Sequence, residues 1–149
     1  MDLGNGFTVF AGAAFEDADL GDNQLINAYV TYETGAWLFA AEINVADYSD
    51  YNAGTEDLEV TSGLLMANYA YSDVASVTAR ISAIDAELGN DDADITKYTL
   101  AHNYALSDNL LLVTEISYAD GDLDLTDDDV DNSFDGDATT IAVELLFSF

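Results

Sequence analysis

The chain of 149 residues contains no cysteine, no proline and only two basic residues, Arg80 and Lys97. Without cysteine, neither a disulfide nor a thiolate metal site can form. Without proline, strands can run long, because proline would remove a hydrogen-bond donor from the ladder. The formal net charge of −28 excludes a nucleic-acid partner, since phosphate binding needs Lys and Arg.

Long apolar runs are also missing, and none approaches the roughly 20 residues of a membrane helix. Hydrophobic residues nevertheless make up 50% of the chain, too many for a disordered acidic protein. The first residues lack the basic start and apolar stretch of a signal peptide. We therefore expect a single domain, residues 1–149, that is either a mature chain or the C-terminal part of a longer barrel, rather than a cytoplasmic protein.

Apolar and polar residues alternate in eight stretches, as they do in β-strands. Each stretch has about 10 to 15 residues, against about 9 to 11 for a tilted transmembrane strand and about 5 to 6 for a soluble one. The eight predicted strands are residues 6–16, 24–33, 36–47, 58–72, 75–86, 94–107, 109–120 and 138–149.

The connections between these strands alternate in length. Tight turns follow Thr34, Ser72 and Ser107. Between them we expect four longer, polar loops that hold most of the carboxylates: 16–23, 47–59, 85–94 and 120–137. Short turns on one side and long loops on the other are typical of outer-membrane barrels. The acidic loops would then face the outside of the cell.

Each strand has an apolar row and a row of small, mildly polar residues, and both basic residues lie in the polar row. In a soluble barrel the polar row would meet water and should be crowded with Asp and Glu, which it is not. We therefore predict that the polar row faces a lumen and carries a charge cluster of Glu42, Arg80, Lys97, Glu115 and Glu144. The apolar row would face lipid, with an aromatic girdle of Tyr32, Trp37, Tyr71, Tyr98, Tyr104 and Tyr118.

The last predicted strand ends the chain on Phe-Ser-Phe, with apolar residues at every second position: Ile141, Val143, Leu145, Phe147 and Phe149. It resembles the C-terminal strand of Gram-negative outer-membrane β-barrels. The segment Y-A-L-S-D-N at 104–109 looks like the strand–turn–strand near the end of Gram-negative porins. The resemblance implies residence in the lipid of the bacterial outer membrane, and recognition of the last strand by the barrel-assembly machinery.

Three further features are candidate sites. His102, the only histidine, falls on the lipid-facing row, where we expect a structural or interfacial role. The carboxylates of the Asp-rich stretch 120–137 could bind a divalent cation weakly. Their spacing does not fit a calcium-binding EF-hand, so we expect at most loosely bound Ca²⁺. The residues proposed for that loop are Asp127, Asp129, Asp131 and Asp135. No catalytic set appears, and the sequence indicates that the protein is not an enzyme.

The sequence thus predicts an all-β protein: a closed, antiparallel, up-and-down transmembrane β-barrel of about eight strands. Its first functional hypothesis is a non-enzymatic, porin-like barrel with acidic external loops and a narrow or plugged lumen, in which the charge cluster forms internal salt bridges. The alternative is a cation-selective channel for passive diffusion, made from a larger porin or from a homo-oligomer. A third hypothesis is a self-assembling, β-rich surface or filament protein.

Overall fold

The computed structural model describes residues 2–18, 21–49, 56–127 and 130–148. No helix among these residues is long and apolar enough to span a membrane. The strands are β1 (Asp2–Gly4), β2 (Phe7–Ala18), β3 (Gly21–Thr34), β4 (Trp37–Tyr48), β5 (Leu58–Ser72), β6 (Ala75–Leu88), β7 (Asp91–Ser107), β8 (Leu110–Asp127) and β9 (Val130–Phe147).

The strands form one antiparallel sheet in which each strand pairs with the next along the chain. The tight turns at Gly35–Ala36, Asp73–Val74 and Asp108–Asn109 lie at one end, which we call the short-turn end. A fourth tight turn, between β1 and β2, lies at the same end. Its Gly6 has a φ of +84°, and a side chain there would collide with the backbone carbonyl of Glu33.

Two parts of the predicted architecture need correction. The sheet has nine strands rather than eight, because the three-residue β1 pairs with the start of β2. The predicted closure is not seen, since in the described part of the chain only consecutive strands touch. Beyond the short β1, one edge of β2 and one edge of β9 therefore have no neighbouring strand among the described residues. The eight predicted strands themselves all form, with shifted ends.

The predicted loops are also corrected, because three of the four acidic connections are largely strand. β2 and β3 are separated by two residues, as are β6 and β7, and β8 and β9. The stretch 120–137 contributes eight paired rungs to the β8–β9 hairpin, from Asp120 opposite Asp137 to Asp127 opposite Val130. Only the β4–β5 connection stays long, and residues 50–55 of it lie outside the described residues. We call this end of the sheet the acidic end.

Exposure identifies the two faces of the sheet. The row that holds Glu42, Arg80, Lys97, Glu115 and Glu144, called the inner row, contains most of the buried residues, among them Thr99 and Ser117 at 7% and 4% exposure. The opposite row, called the outer row, exposes its apolar side chains, up to 76% at Ile141. Crowding of side chains is expected on the concave side of a curved sheet, so the polar row is the concave one.

Neighbouring leucines on β5 provide a test of this assignment. Leu65 lies on the outer row, and Leu64 lies on the inner row opposite Glu42. Leu65→Arg should destabilise the folded chain in phospholipid vesicles by about 2–4 kcal/mol, the cost of a lipid-facing Arg near the bilayer midplane. Leu64→Arg should cost much less, because its charge would face the lumen and a carboxylate. Urea unfolding in vesicles measures both, and a larger loss for Leu64→Arg would reverse the assignment of the faces.

Candidate functional site

The inner row brings the two basic residues to one carboxylate. Arg80 on β6 and Lys97 on β7 each approach Glu115 on β8, with N···O distances of 3.9 Å from Arg80 Nη2 and 3.8 Å from Lys97 Nζ. Both distances exceed the roughly 2.7–2.9 Å of a charge-assisted hydrogen bond. The three side chains remain 36%, 39% and 27% exposed, respectively. They form a loose ion triad on an accessible wall.

Glu42 belongs to a separate, amide-rich cluster. Its Oε1 accepts hydrogen bonds from Asn27 Nδ2 at 2.9 Å and from Asn44 Nδ2 at 3.3 Å. Asn27 also donates to Asn44 Oδ1 at 2.6 Å. The three residues meet because Asn27 and Asn44 are direct cross-strand partners and Glu42 follows two positions from Asn44. Glu42 is therefore held by neutral donors rather than by Arg80 or Lys97.

Glu144 lies opposite Val113, two residues along β9 from Ala142, the partner of Glu115. Of the three predicted carboxylates, only Glu115 pairs with a base within the described residues.

Towards the short-turn end, a network of neutral side chains continues the polar wall. Asn68 and Asn103 both donate to the hydroxyls of Ser76 and Thr78, over 2.7–3.2 Å. The sequence placed these residue types on the polar row but not in this network.

Two polar atoms beside the triad have no hydrogen-bond partner among the described residues. They are Arg80 Nε and Thr99 Oγ1, and both atoms are buried. Thr99 is the cross-strand partner of Arg80 on one side and of Ser117 on the other. The next residue in this rung is Thr140. A line of three hydroxyls therefore runs beside the cations.

Towards the acidic end, the two rows of the sheet exchange their apolar and polar character. There the inner row becomes apolar, with Ile84, Ile95, Leu123 and Phe134. The outer row becomes acidic instead, and its aspartates face one another across the strands. Asp85, Asp94, Asp122 and Asp135 form one such ladder across β6 to β9. The carboxylates of this ladder therefore point away from the inner row, whereas Glu16 and Asp91 at the same end lie on the inner row.

Like charges placed directly opposite one another are unfavourable. At Asp94, which lies beyond the lipid-facing part of the sheet, burial raises the pKa of the carboxyl. The carboxylates of Asp122, Asp92, Asp85 and Asp120 raise that pKa further. Asp94 thus holds its proton more tightly than an isolated aspartate would.

The predicted divalent-cation loop is only partly described. Asp129 lies outside the described residues, as does the Phe149 side chain of the predicted assembly strand, and the side chains of Asp127 and Asp131 are not described either. Asp135 is in the aspartate ladder. Three other carboxylates, from Asp85, Glu87 and Asp92, come within 4.8 Å of one another. Calcium at either place stays a prediction.

Four of the six predicted girdle residues make ring contacts on the outer row near the short-turn end: Tyr32, Trp37, Tyr71 and Tyr104. Ring centroids are 4.2 Å apart for Phe7 and Tyr32, and 4.6 Å apart for Trp37 and Tyr69. His102 lies on this row, and its Nε2 is 2.6 Å from the Tyr71 hydroxyl. Pairing with Tyr71 satisfies one polar atom of a histidine that faces outward. The alternation of residues placed His102 on this row but did not indicate its partner.

An inner row of polar side chains, an outer row of exposed apolar side chains and aromatic rings near the short-turn end are the features of a transmembrane β-barrel of the outer membrane. The sequence profile of the Gram-negative porin family matches residues 1–124, and the chain belongs to this family. The protein is accordingly a protein of the bacterial outer membrane. The matched residues end before β9, so they are independent of the terminal strand that first suggested the resemblance.

Two solved structures share the fold at low identity. The first is OmpT, an outer membrane protein of Vibrio cholerae, in an in-vitro folded trimer form. It is 18% identical, with a TM-score of 0.67, over 95% of this chain and 53% of that chain. The second is OmpT lacking loop L8, at 17% identity, a TM-score of 0.66, and coverage of 92% and 50%. The chain thus spans about half the length of each. A search of curated protein sequences finds no significant match.

The aspartate ladder predicts a specific dependence of stability on pH. Because the folded-state pKa of Asp94 lies above its ordinary value of 3.8, the folded chain binds protons more tightly than the unfolded chain. The free energy of unfolding should therefore fall as the pH rises from the ordinary pKa of Asp94 through its raised pKa in the folded chain. Asp94→Asn should raise the urea midpoint in detergent at pH 7, and the gain should disappear below about pH 3 because both states are then protonated.

Asp73→Asn, in the β5–β6 turn, removes the same formal charge away from the ladder and serves as the control. It should change the midpoint less than Asp94→Asn does at pH 7. A gain from Asp94→Asn that persisted or grew at low pH would contradict repulsion as its cause.

Proposed function

We propose that the chain forms part of the wall of a porin that lets small hydrophilic solutes, preferentially cations, diffuse passively across the outer membrane. Family membership supports a porin-type protein. The observation that carries the proposal is the exposure of the charged inner side chains, at 36%, 39% and 27% for Arg80, Lys97 and Glu115. In a filled, narrow barrel these charges would be desolvated and closely paired.

The inner row also supports the proposed preference for cations. Outside the acidic end it carries Glu33, Glu42, Glu115 and Glu144 against Arg80 and Lys97. Carboxylate rings favour cations in a pore. The acidic end adds less to this preference at short range, because most of its described carboxylates lie on the outer row. The selectivity is thus assigned to the wall rather than to the mouth.

The narrow or plugged lumen stays the alternative, and we favour an open lumen because the triad is loosely spaced and accessible. A filament protein is disfavoured by the porin-family match. The protein is proposed to act without catalysis, through binding and diffusion alone. Assembly as a homo-oligomer is consistent with the neighbouring OmpT structure, which is described as a trimer. The barrel-assembly machinery remains the expected partner for insertion.

The test is ion selectivity in a planar bilayer after the chain has folded in detergent. Steady, cation-selective steps are expected. Glu42→Gln should lower the cation-to-anion permeability ratio by up to about fivefold, because a unit charge about 4 Å away is worth ~1 kcal/mol in water.

Glu87→Gln removes one carboxylate from the outer row and is the matched control. It should leave the permeability ratio nearly unchanged. Absence of conductance from a well-folded chain would refute the pore. An equal effect of Glu87→Gln would instead show that selectivity arises outside the inner row.

A further inference from the structure

A hollow with apolar walls lies on the inner row near the acidic end. It forms where Gly121 and Gly136 face each other across β8 and β9. The backbone carbonyl of Asp94 and the side chain of Ile95 cover Gly121, so the open space lies at Gly136. A side chain at Gly136 would meet no atom within 4 Å. The hollow has a volume of about 540 Å³, and its apolar walls come from Ala93, Ile95, Ala119, Leu123, Phe134 and Ala138.

The two cations adjoin this hollow. Lys97 is the cross-strand partner of Ala119, which in turn pairs with Ala138, so the lysine occupies the rung next to the two glycines. Arg80 lies one rung further on, in line with the hydroxyls of Thr99, Ser117 and Thr140. The lining of the hollow also includes four residues at outer-row positions: Asp120, Asp122, Asp135 and Asp137. Along the inner row itself, the side chains change within two rungs from apolar to cationic and hydroxyl-rich.

Arg80 and Lys97 are only partly neutralised by carboxylates of the described chain. Two positive charges share the single carboxylate of Glu115, so the triad sums to one positive charge. Arg80 Nε and Thr99 Oγ1 have no acceptor among the described residues. A buried donor without a partner is costly. These two atoms are buried, so a ligand would instead contact the exposed ends of Arg80 and Lys97, whose side chains are 36% and 39% exposed. A carboxylate placed between those ends would supply a second negative charge to the two cations.

We infer that this wall binds an amphiphilic monocarboxylate, with its apolar group in the glycine hollow and its carboxylate between Lys97 and Arg80. The inference rests on the proposed pore for the route by which such a solute reaches the inner row. Charge complementarity selects the head group, because Lys97 and Arg80 are the only basic residues in the whole chain. The apolar walls exclude a small hydrophilic anion as the preferred ligand.

Strand geometry also sets the length of the ligand. Adjacent residues on one face of a strand are about 6.6–6.8 Å apart. The apolar group should therefore lie about 7 Å from the carboxylate, one same-face step from the glycine rung to the lysine. An aromatic ring with a chain of three methylenes meets this requirement. We choose 4-phenylbutanoate as the probe.

The experiment is a titration of the full chain, folded in detergent micelles and labelled at its Ile, Leu and Val methyl groups, followed by NMR. 4-Phenylbutanoate should shift the methyl resonances of Ile95 and Leu123 in a saturable manner. 4-Phenylbutan-1-ol has the same ring and chain without the charge, and should bind about tenfold more weakly. The methyl groups of Leu100 and Ile116, on the outer row, report partition into the micelle.

Three variants distinguish the contribution of the head-group contacts to binding from the contribution of the hollow. Lys97→Gln should weaken binding about tenfold, the value of one charge-assisted hydrogen bond, while Lys97→Arg should restore it. Gly136→Val should fill the hollow and abolish the shifts of Ile95 and Leu123. Val suits a strand, so the rest of the methyl spectrum should stay unchanged and show that the fold is intact.

Equal affinity for the acid and the alcohol would overturn the inference, as would shifts confined to the outer row. Unchanged binding in both Lys97→Gln and Gly136→Val would overturn it as well. Binding without any conductance would refute the pore and still support the site. A current that 4-phenylbutanoate blocks in the wild type, but not in Lys97→Gln, would support both together.

Discussion

Every backbone N–H and C=O group of a strand in hydrocarbon must be paired with a neighbouring strand, because no water is available to replace that partner. The rest of the structure depends on this constraint. It requires long strands joined by tight turns, which a chain without proline can form throughout. It also leaves side chains alone to distinguish lipid from lumen. A strict alternation of apolar and polar residues is consequently enforced over the whole width of the membrane.

That alternation explains how much of the fold could be predicted from the sequence. The eight long strands and the tight turns follow from the two-residue period, which is strongest where one face meets lipid. Strand ends at the acidic end were missed because carboxylates and glycines there resemble a loop. Yet Asp122, Leu123, Asp124 and Leu125 keep the two-residue period, with the polar and apolar faces exchanged. β1 is too short to show any period.

The candidate site was predictable only in part, for a related reason. Alternation assigns a residue to a face, so it placed Glu42, Arg80, Lys97 and Glu115 together on one wall. It does not give the register between strands, and register decides which side chains meet. Arg80 and Lys97 thus reach Glu115, whereas Glu42 meets two asparagines. The glycine hollow was missed because it depends on the pairing of Gly121 with Gly136.

The two edges of the sheet connect the fold to the proposed function. β2 and β9 run in opposite directions, so an antiparallel barrel can close between them directly or through an even number of further strands. Because diameter grows with strand number, each added pair of strands would widen the barrel and leave more room for water beside the inner row. The constraint that demands partners for the sheet edges thus also sets how much water the proposed pore can hold beside its charged wall.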